Sequence, residues 1–139
     1  MKRRFFALAL ALLLAVSLPV SALARDWYID DGNITIRATE NGQTVSQGDT
    51  TEADDAPVIK QKNSETTTDK TIKIETTGDA TADVTIENVN IKSSGDAIDV
   101  GSSSADITLK GSNKLFSKTG SALHVSDGDV TIDGDGSLE

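Results

Sequence analysis

Through the second half of the chain, apolar and polar residues alternate with period two in short bursts, and the bursts recur. Ala82-Asp83-Val84-Thr85-Ile86, Ala105-Asp106-Ile107-Thr108-Leu109 and Gly128-Asp129-Val130-Thr131-Ile132 align with Val84, Ile107 and Val130 at successive offsets of 23 residues. A second set, Ile72-Lys73-Ile74, Ile98-Asp99-Val100 and Leu123-His124-Val125, repeats at offsets of 26 and 25. A third, Ile91, Leu115 and Leu138, repeats at 24 and 23. Runs this short, bounded by Gly, Ser, Asp and Asn, are strands and not helices. One three-residue strand cannot bury its apolar face, but units stacked in register can, with like residues about 4.8 Å apart on neighbouring rungs. The pattern predicts an all-β chain: a right-handed parallel β-helix with three short strands per coil and a repeat of about 23–26 residues. A leucine-rich horseshoe shares the repeat length but needs a leucine and asparagine consensus that is absent, and a disordered threonine-rich stalk would not align its apolar residues.

The first half is looser. Trp27-Tyr28-Ile29, Asn33-Ile34-Thr35-Ile36, Thr44-Val45 and Val58-Ile59 are expected strands of a first coil or cap, followed by the polar loop QKNSETTTDK at 61–70. Trp27 and Tyr28, the only Trp and Tyr, are expected to plug the end of the core, with sugar stacking as the alternative use of the same rings. Before them, Lys2, Arg3 and Arg4 precede an apolar run from Phe5 to Val16 and the small residues Ala22-Leu23-Ala24, the form of a secretory signal peptide. The expected organisation is a leader at 1–24, a cap or first coil with its polar loop at 25–70, and regular coils at 71–139. The last rung stops uncovered at Leu138-Glu139, so the sequence is expected to be a fragment whose open strand edges favour end-to-end self-association.

Charge then narrows the partners. The chain has 13 basic and 22 acidic residues, and loss of three basic residues with the leader leaves 10 against 22, a net −12. Nucleic acid and anionic membranes are poor partners for such a protein, and no membrane association is expected after cleavage of the leader. The absence of cysteine excludes both a disulfide framework and a lipid-modified cysteine. A secreted, extracellular or cell-surface location is expected.

In a solenoid, outward residues at one repeat position form columns, and four columns have chemical interest. Thr85, Thr108 and Thr131 form a hydroxyl ladder, read either as ordinary strand-forming residues or as a ligand-facing array. Beside it Glu87, Lys110 and Asp133 alternate in sign, as a cross-rung ion-pair ladder would. Asp83, Asp106 and Asp129 stack three like charges, so either each carboxylate accepts a backbone N–H at its turn or a cation such as Ca2+ lies among them. Lys73, Asp99 and His124 share a column with no attached nucleophile, and a solvated histidine is the expected reading. The closing SDGDVTIDGDGSLE matches neither the EF-hand loop nor the calcium nonapeptide, and its acidic glycine pairs are expected turns.

The run DWYIDDGNITIRATENGQTVSQGDT, the following PVI and the core TADVTIENVNI resemble the opening of secreted surface proteins of clostridia-like gut bacteria. Beyond these segments the chain is similar to the clostridial carbohydrate-binding β-helix family, related in fold to pectate lyases. The resemblance spans nearly the whole chain after the leader and implies an extracellular β-helix that holds polysaccharide, with acidic plant cell-wall glycan and Ca2+ among the ligands to be expected. It departs from the lyases: only Arg25 and Arg37 remain after the leader, neither in the regular coils, and no lysine adjoins the Asp column in a lyase pattern. No catalytic residue is assigned. The function expected is non-catalytic carbohydrate binding through Thr85, Thr108, Thr131, Glu87, Lys110 and Asp133, with a structural or adhesive repeat, and then a lyase-like enzyme, as the alternatives.

Overall fold

A computed structural model of the chain describes residues 24–139; the leader expectation falls, except for Ala24, outside the described residues. In chain order the strands are β1 (Asp26–Tyr28), β2 (Ile34–Thr39), β3 (Gly42–Gln47), β4 (Thr50–Ala53), β5 (Val58–Lys60), β6 (Ile72–Thr76) and β7 (Thr81–Glu87). They continue with β8 (Asn90–Ser93), β9 (Ile98–Gly101), β10 (Ser104–Lys110), β11 (Ser112–Ser117), β12 (Leu123–Val125), β13 (Val130–Gly134) and β14 (Ser137–Leu138). A single 3-10 turn, Ile29–Asp31, interrupts them, and the described residues contain no α-helix.

Period-two alternation decides which way each strand faces. In β7, Ala82, Val84 and Ile86 are buried while Asp83, Thr85 and Glu87 point away; in β10 the same holds for Ala105, Ile107 and Leu109 against Asp106, Thr108 and Lys110. The strands stack into three sheets. The first has the order β1-β5-β7-β10-β13 and is parallel throughout. The second has the order β14-β11-β8 and extends to an isolated bridge between Ile91 and Thr68. The third has the order β12-β9-β6-β2 in parallel and then β3 and β4 antiparallel. From β5 onward the chain visits the first, second and third sheets in turn, which is a β-solenoid of about three coils with three strands in each. Isoleucines and valines from all three sheets fill its axis, Ile34, Ile36, Ile59, Ile72, Val84 and Ile91 among them. Each such side chain contributes roughly 1.5–3 kcal/mol on burial.

Carboxamides close the gaps that the strands leave. Because β5 pairs only with Thr85–Glu87, the earlier part of β7 has no strand on that side, and buried Gln43 of β3 serves in its place. Gln43 Oε1 accepts the Asp83 N–H at 2.9 Å, and its Nε2 donates to the Asp83 and Asp54 carbonyls at 2.8 and 3.1 Å. Buried Asn113 does the same at a corner, accepting the Val89 N–H and donating to the Lys110 and Ser137 carbonyls. Trp27 is in the core, and its indole N–H donates to the buried Asp54 carboxylate at 2.9 Å. Among the described residues no buried side-chain nitrogen or oxygen lacks a partner.

The last coil departs from the expected columns. The repeat motif aligns Val130 with Ile107, but the strands pair Ala105 with Val130, Asp106 with Thr131, Ile107 with Ile132 and Thr108 with Asp133. Leu138 likewise pairs with Asn113 instead of Leu115. Seven residues separate Leu123 from Val130, whereas nine separate Ile98 from Ile107, so β13 makes up the two missing residues by slipping. A two-residue slip is the smallest that keeps Val130 and Ile132 on the core side of the strand, where Val130 packs against the core and Ile132 stays exposed; a slip of one would turn every side chain over. The DGDG sequence suits it. Gly134 falls against Leu109, where a Cβ would lie 2.2 Å from the Leu109 carbonyl oxygen, and Gly136 supplies the turn, donating its N–H to that same carbonyl.

Candidate functional site

The outward face of the first sheet carries most of the residues expected to bind. Thr85 and Thr108 are register partners, and so are Glu87 and Lys110, but Thr131 stands beside Asp106 and Asp133 beside Thr108. The expected three-high hydroxyl and ion-pair columns are therefore two residues high. The ion-pair ladder is built differently as well. Lys60, one rung before Glu87, lies 3.0 Å from Asp26 and 4.0 Å from Glu87, while Lys110 has no carboxylate within 4.0 Å among the described residues. The Asp26 carboxylate, accepting a hydrogen bond, raises the Lys60 ammonium pKa above its ordinary value.

Asp83 and Asp106 stack in register, and Asp129 joins Asp106 at a cleft of about 320 Å3 lined also by Asp79, Thr81 and Thr131. None of the carboxylates of Asp83, Asp106 and Asp129 accepts a backbone N–H among the described residues, and their oxygens do not converge within 4.8 Å as a trio. The turn-capping reading of this column is thus corrected: the carboxylates line an open acidic surface. Asp83 shows the consequence. Partial loss of hydration, and then the charge of Asp106, hold its carboxyl above the usual 3.8.

The third sheet realises the Lys73, Asp99 and His124 column in register. Lys73 turns to Glu75 at 3.1 Å, leaving Asp99 to His124. His124 is half-buried, with Nδ1 3.0 Å from Asp99 Oδ1 and 3.3 Å from Asp96 Oδ2. The expected solvated histidine is instead held between two carboxylates. Asp96 escaped sequence reasoning, although Gly95-Asp96-Ala97-Ile98-Asp99-Val100 against Gly120-Ser121-Ala122-Leu123-His124-Val125 is a legible repeat at 25 residues.

A fourth place was not foreseen. On the second sheet Leu115 points inward, so Phe116 must point out, and it is 55% exposed. Its register partner is Lys92, whose ammonium nitrogen lies 5.6 Å from the ring centroid. Phe116, Lys92, Lys118, Ser93, Ser94 and Asp69 line a shallow groove of about 610 Å3. Most cations of the described residues have a carboxylate within 4.0 Å; Lys92, Lys110 and Lys118 do not, and two of those three line this groove. The signal in the sequence is the parity of Leu115-Phe116, which places an aromatic ring on a face otherwise made of Lys, Ser and Asn.

Trp27, being in the core, offers no ring to a ligand, while half-buried Tyr28 has the Lys62 ammonium 5.6 Å from its ring centroid. No protein-family model, curated protein or solved structure matches the chain, so what bears on its function is the chemistry of these faces.

Proposed function

We propose that the protein is a non-catalytic, extracellular polysaccharide-binding solenoid, and that its ligand is an acidic glycan held across the second sheet. The observation that carries this reading is Phe116, an exposed ring on a rigid strand, flanked in one groove by Lys92 and Lys118, two cations with no carboxylate of their own. An exposed aromatic ring presents a flat apolar face suited to the C–H face of a pyranose, while ammonium groups beside it suit uronate carboxylates. Exposed Ser94 adds a hydrogen-bonding group at the rim. The resemblance to clostridial carbohydrate-binding β-helices agrees in ligand class, and the parallel rungs supply the repeat that an extended polymer needs. The threonine face of the first sheet is the competing surface. With Asp133 brought beside Thr108, and Thr131 beside Asp106, by the register slip, it suits a cation or a neutral sugar better than a polyanion.

The test is affinity electrophoresis of the protein through gels containing polygalacturonate or a neutral glucan. Retardation by polygalacturonate is expected, reduced about tenfold or more by Phe116→Ala and by Lys92→Ala with Lys118→Ala, and unchanged by Thr108→Lys. Retardation that survives Phe116→Ala and disappears with Thr108→Lys would move the site to the first sheet. Release of unsaturated, ultraviolet-absorbing oligomers would replace binding with lyase activity.

A further inference from the structure

We infer that Asp96, Asp99 and His124 form a binding site for a divalent transition metal of the zinc class, on the third sheet and separate from the glycan groove. Among the described residues this is the one set of three metal-ligating side chains whose donor atoms all lie within 4.8 Å of one another.

The chain brings them together by stacking. Asp99 on β9 and His124 on β12 are register partners, held by their inward neighbours Ile98 and Leu123, which are themselves paired. Asp96 lies in the turn before β9, and the turn of the next coil rests on it. Ser121 N–H donates to Asp96 Oδ1 at 2.6 Å, which leaves Oδ2 turned towards His124. Gly120 permits this approach, since a Cβ there would lie 2.4 Å from Asp96 Oδ1. One carboxylate oxygen fixed from behind, with the other presented, is the arrangement by which outer contacts orient metal ligands.

Distance and charge both fit a small cation. An ion with bonds of about 2.0–2.1 Å in tetrahedral geometry separates its ligand atoms by about 3.3 Å. His124 Nδ1 stands 3.0 and 3.3 Å from its two carboxylate oxygens, so little movement would admit the ion. With neutral imidazole the trio has a charge of −2, and Lys73, the residue in register with Asp99 on the preceding rung, pairs with Glu75 instead. One nitrogen and two oxygens select zinc-like ions over calcium or magnesium, which favour all-oxygen sites. The half-exposed position leaves the fourth coordination place to water or to an outside ligand.

The composition makes the test direct. His124 is the only histidine and there is no cysteine, so a single imidazole reports the event without a competing imidazole or thiolate. The protein expressed from its full sequence would be titrated with Zn2+ near pH 7.5, following heat and the imidazole 15N resonances. One equivalent is expected to bind, with Nδ1 as the metallated nitrogen and no competition from equimolar Ca2+. His124→Ala, Asp96→Asn and Asp99→Asn should each weaken binding at least tenfold, which is about 1.4 kcal/mol. Asp96→Asn retains an oxygen for the Ser121 N–H, and circular dichroism of each variant would separate loss of ligand from loss of fold. Zinc affinity unchanged in His124→Ala, or His124 resonances indifferent to zinc, would overturn the site and leave a histidine hydrogen-bonded between two carboxylates.

Discussion

At the scale of single residues, polar side chains are retained inside this solenoid because they do the work of backbone. Gln43 presents one carbonyl and one amide to Asp83, the same pair a neighbouring strand would offer. Outside, the same stacking that aligns hydrogen bonds also aligns charge, and Asp83 against Asp106 is its cost. An unfolded Asp titrates near 3.8, and Asp83 in the fold titrates higher. Between the two values the folded protein binds more protons, so its stability falls as pH rises through that window and recovers below it. Glu75 acts in the opposite sense. Hydrogen bonds from Lys73 and then Arg37 hold its carboxyl below 4.5, so its contribution is complete above that value and is lost as pH falls through the lowered pKa. Asp83→Asn should therefore raise the urea midpoint near pH 7 relative to the parent, with the gain vanishing at pH 3.5. A gain that is the same at both pH values would show that the charge of Asp83 is not its source.

At the scale of elements, parity and register are set by different things. Alternation within a strand decides which residues face the core and depends on neighbours one and two positions away. Register depends on how many residues each turn spends, which is why β13 pairs Thr131 with Asp106. Register partners on adjacent strands are about 4.8 Å apart, within disulfide range, whereas a two-residue offset carries the Cα atoms to about 8 Å, outside it. The chain contains no cysteine to interfere. Asp106→Cys with Thr131→Cys should crosslink on mild oxidation, and Thr108→Cys with Thr131→Cys should not, as read by the mass of the intact protein and of its peptides. The reverse result would restore the 23-residue columns of the bare repeat.

At the scale of the whole molecule, the proposed ligand sets an acidic polymer against an acidic protein. The formal net charge is −9 for the whole sequence, and charges separated by more than about 8 Å are screened at physiological salt, so the local field of Lys92 and Lys118 prevails only at close range. Retention on polygalacturonate should weaken with added salt in the parent. In Lys92→Ala with Lys118→Ala the sign should reverse, because what remains for salt to screen is repulsion between the polymer and the protein as a whole. A double variant with the same salt slope as the parent would place the attraction on other residues.

Much of this molecule was readable before folding. Short alternating strands, the three sets of them in each coil and the parallel stacking all follow from where Val84, Ile98, Leu115 and their counterparts recur, because burial on one side of a strand is a local property of the chain. The two places where chemistry gathers were not readable in the same way. Phe116 meets Lys92 across 24 residues, and Asp96 meets His124 across 28, and either meeting would be lost to a turn one or two residues longer or shorter. The bare repeat put Thr131 beside Thr108 and Asp129 beside Asp106, and the two-residue deficit before β13 moved both. Sequence alone decided the faces of the strands, since alternation is local. Only the tertiary structure decided which residues share a rung, since register is the sum of every turn in the coil.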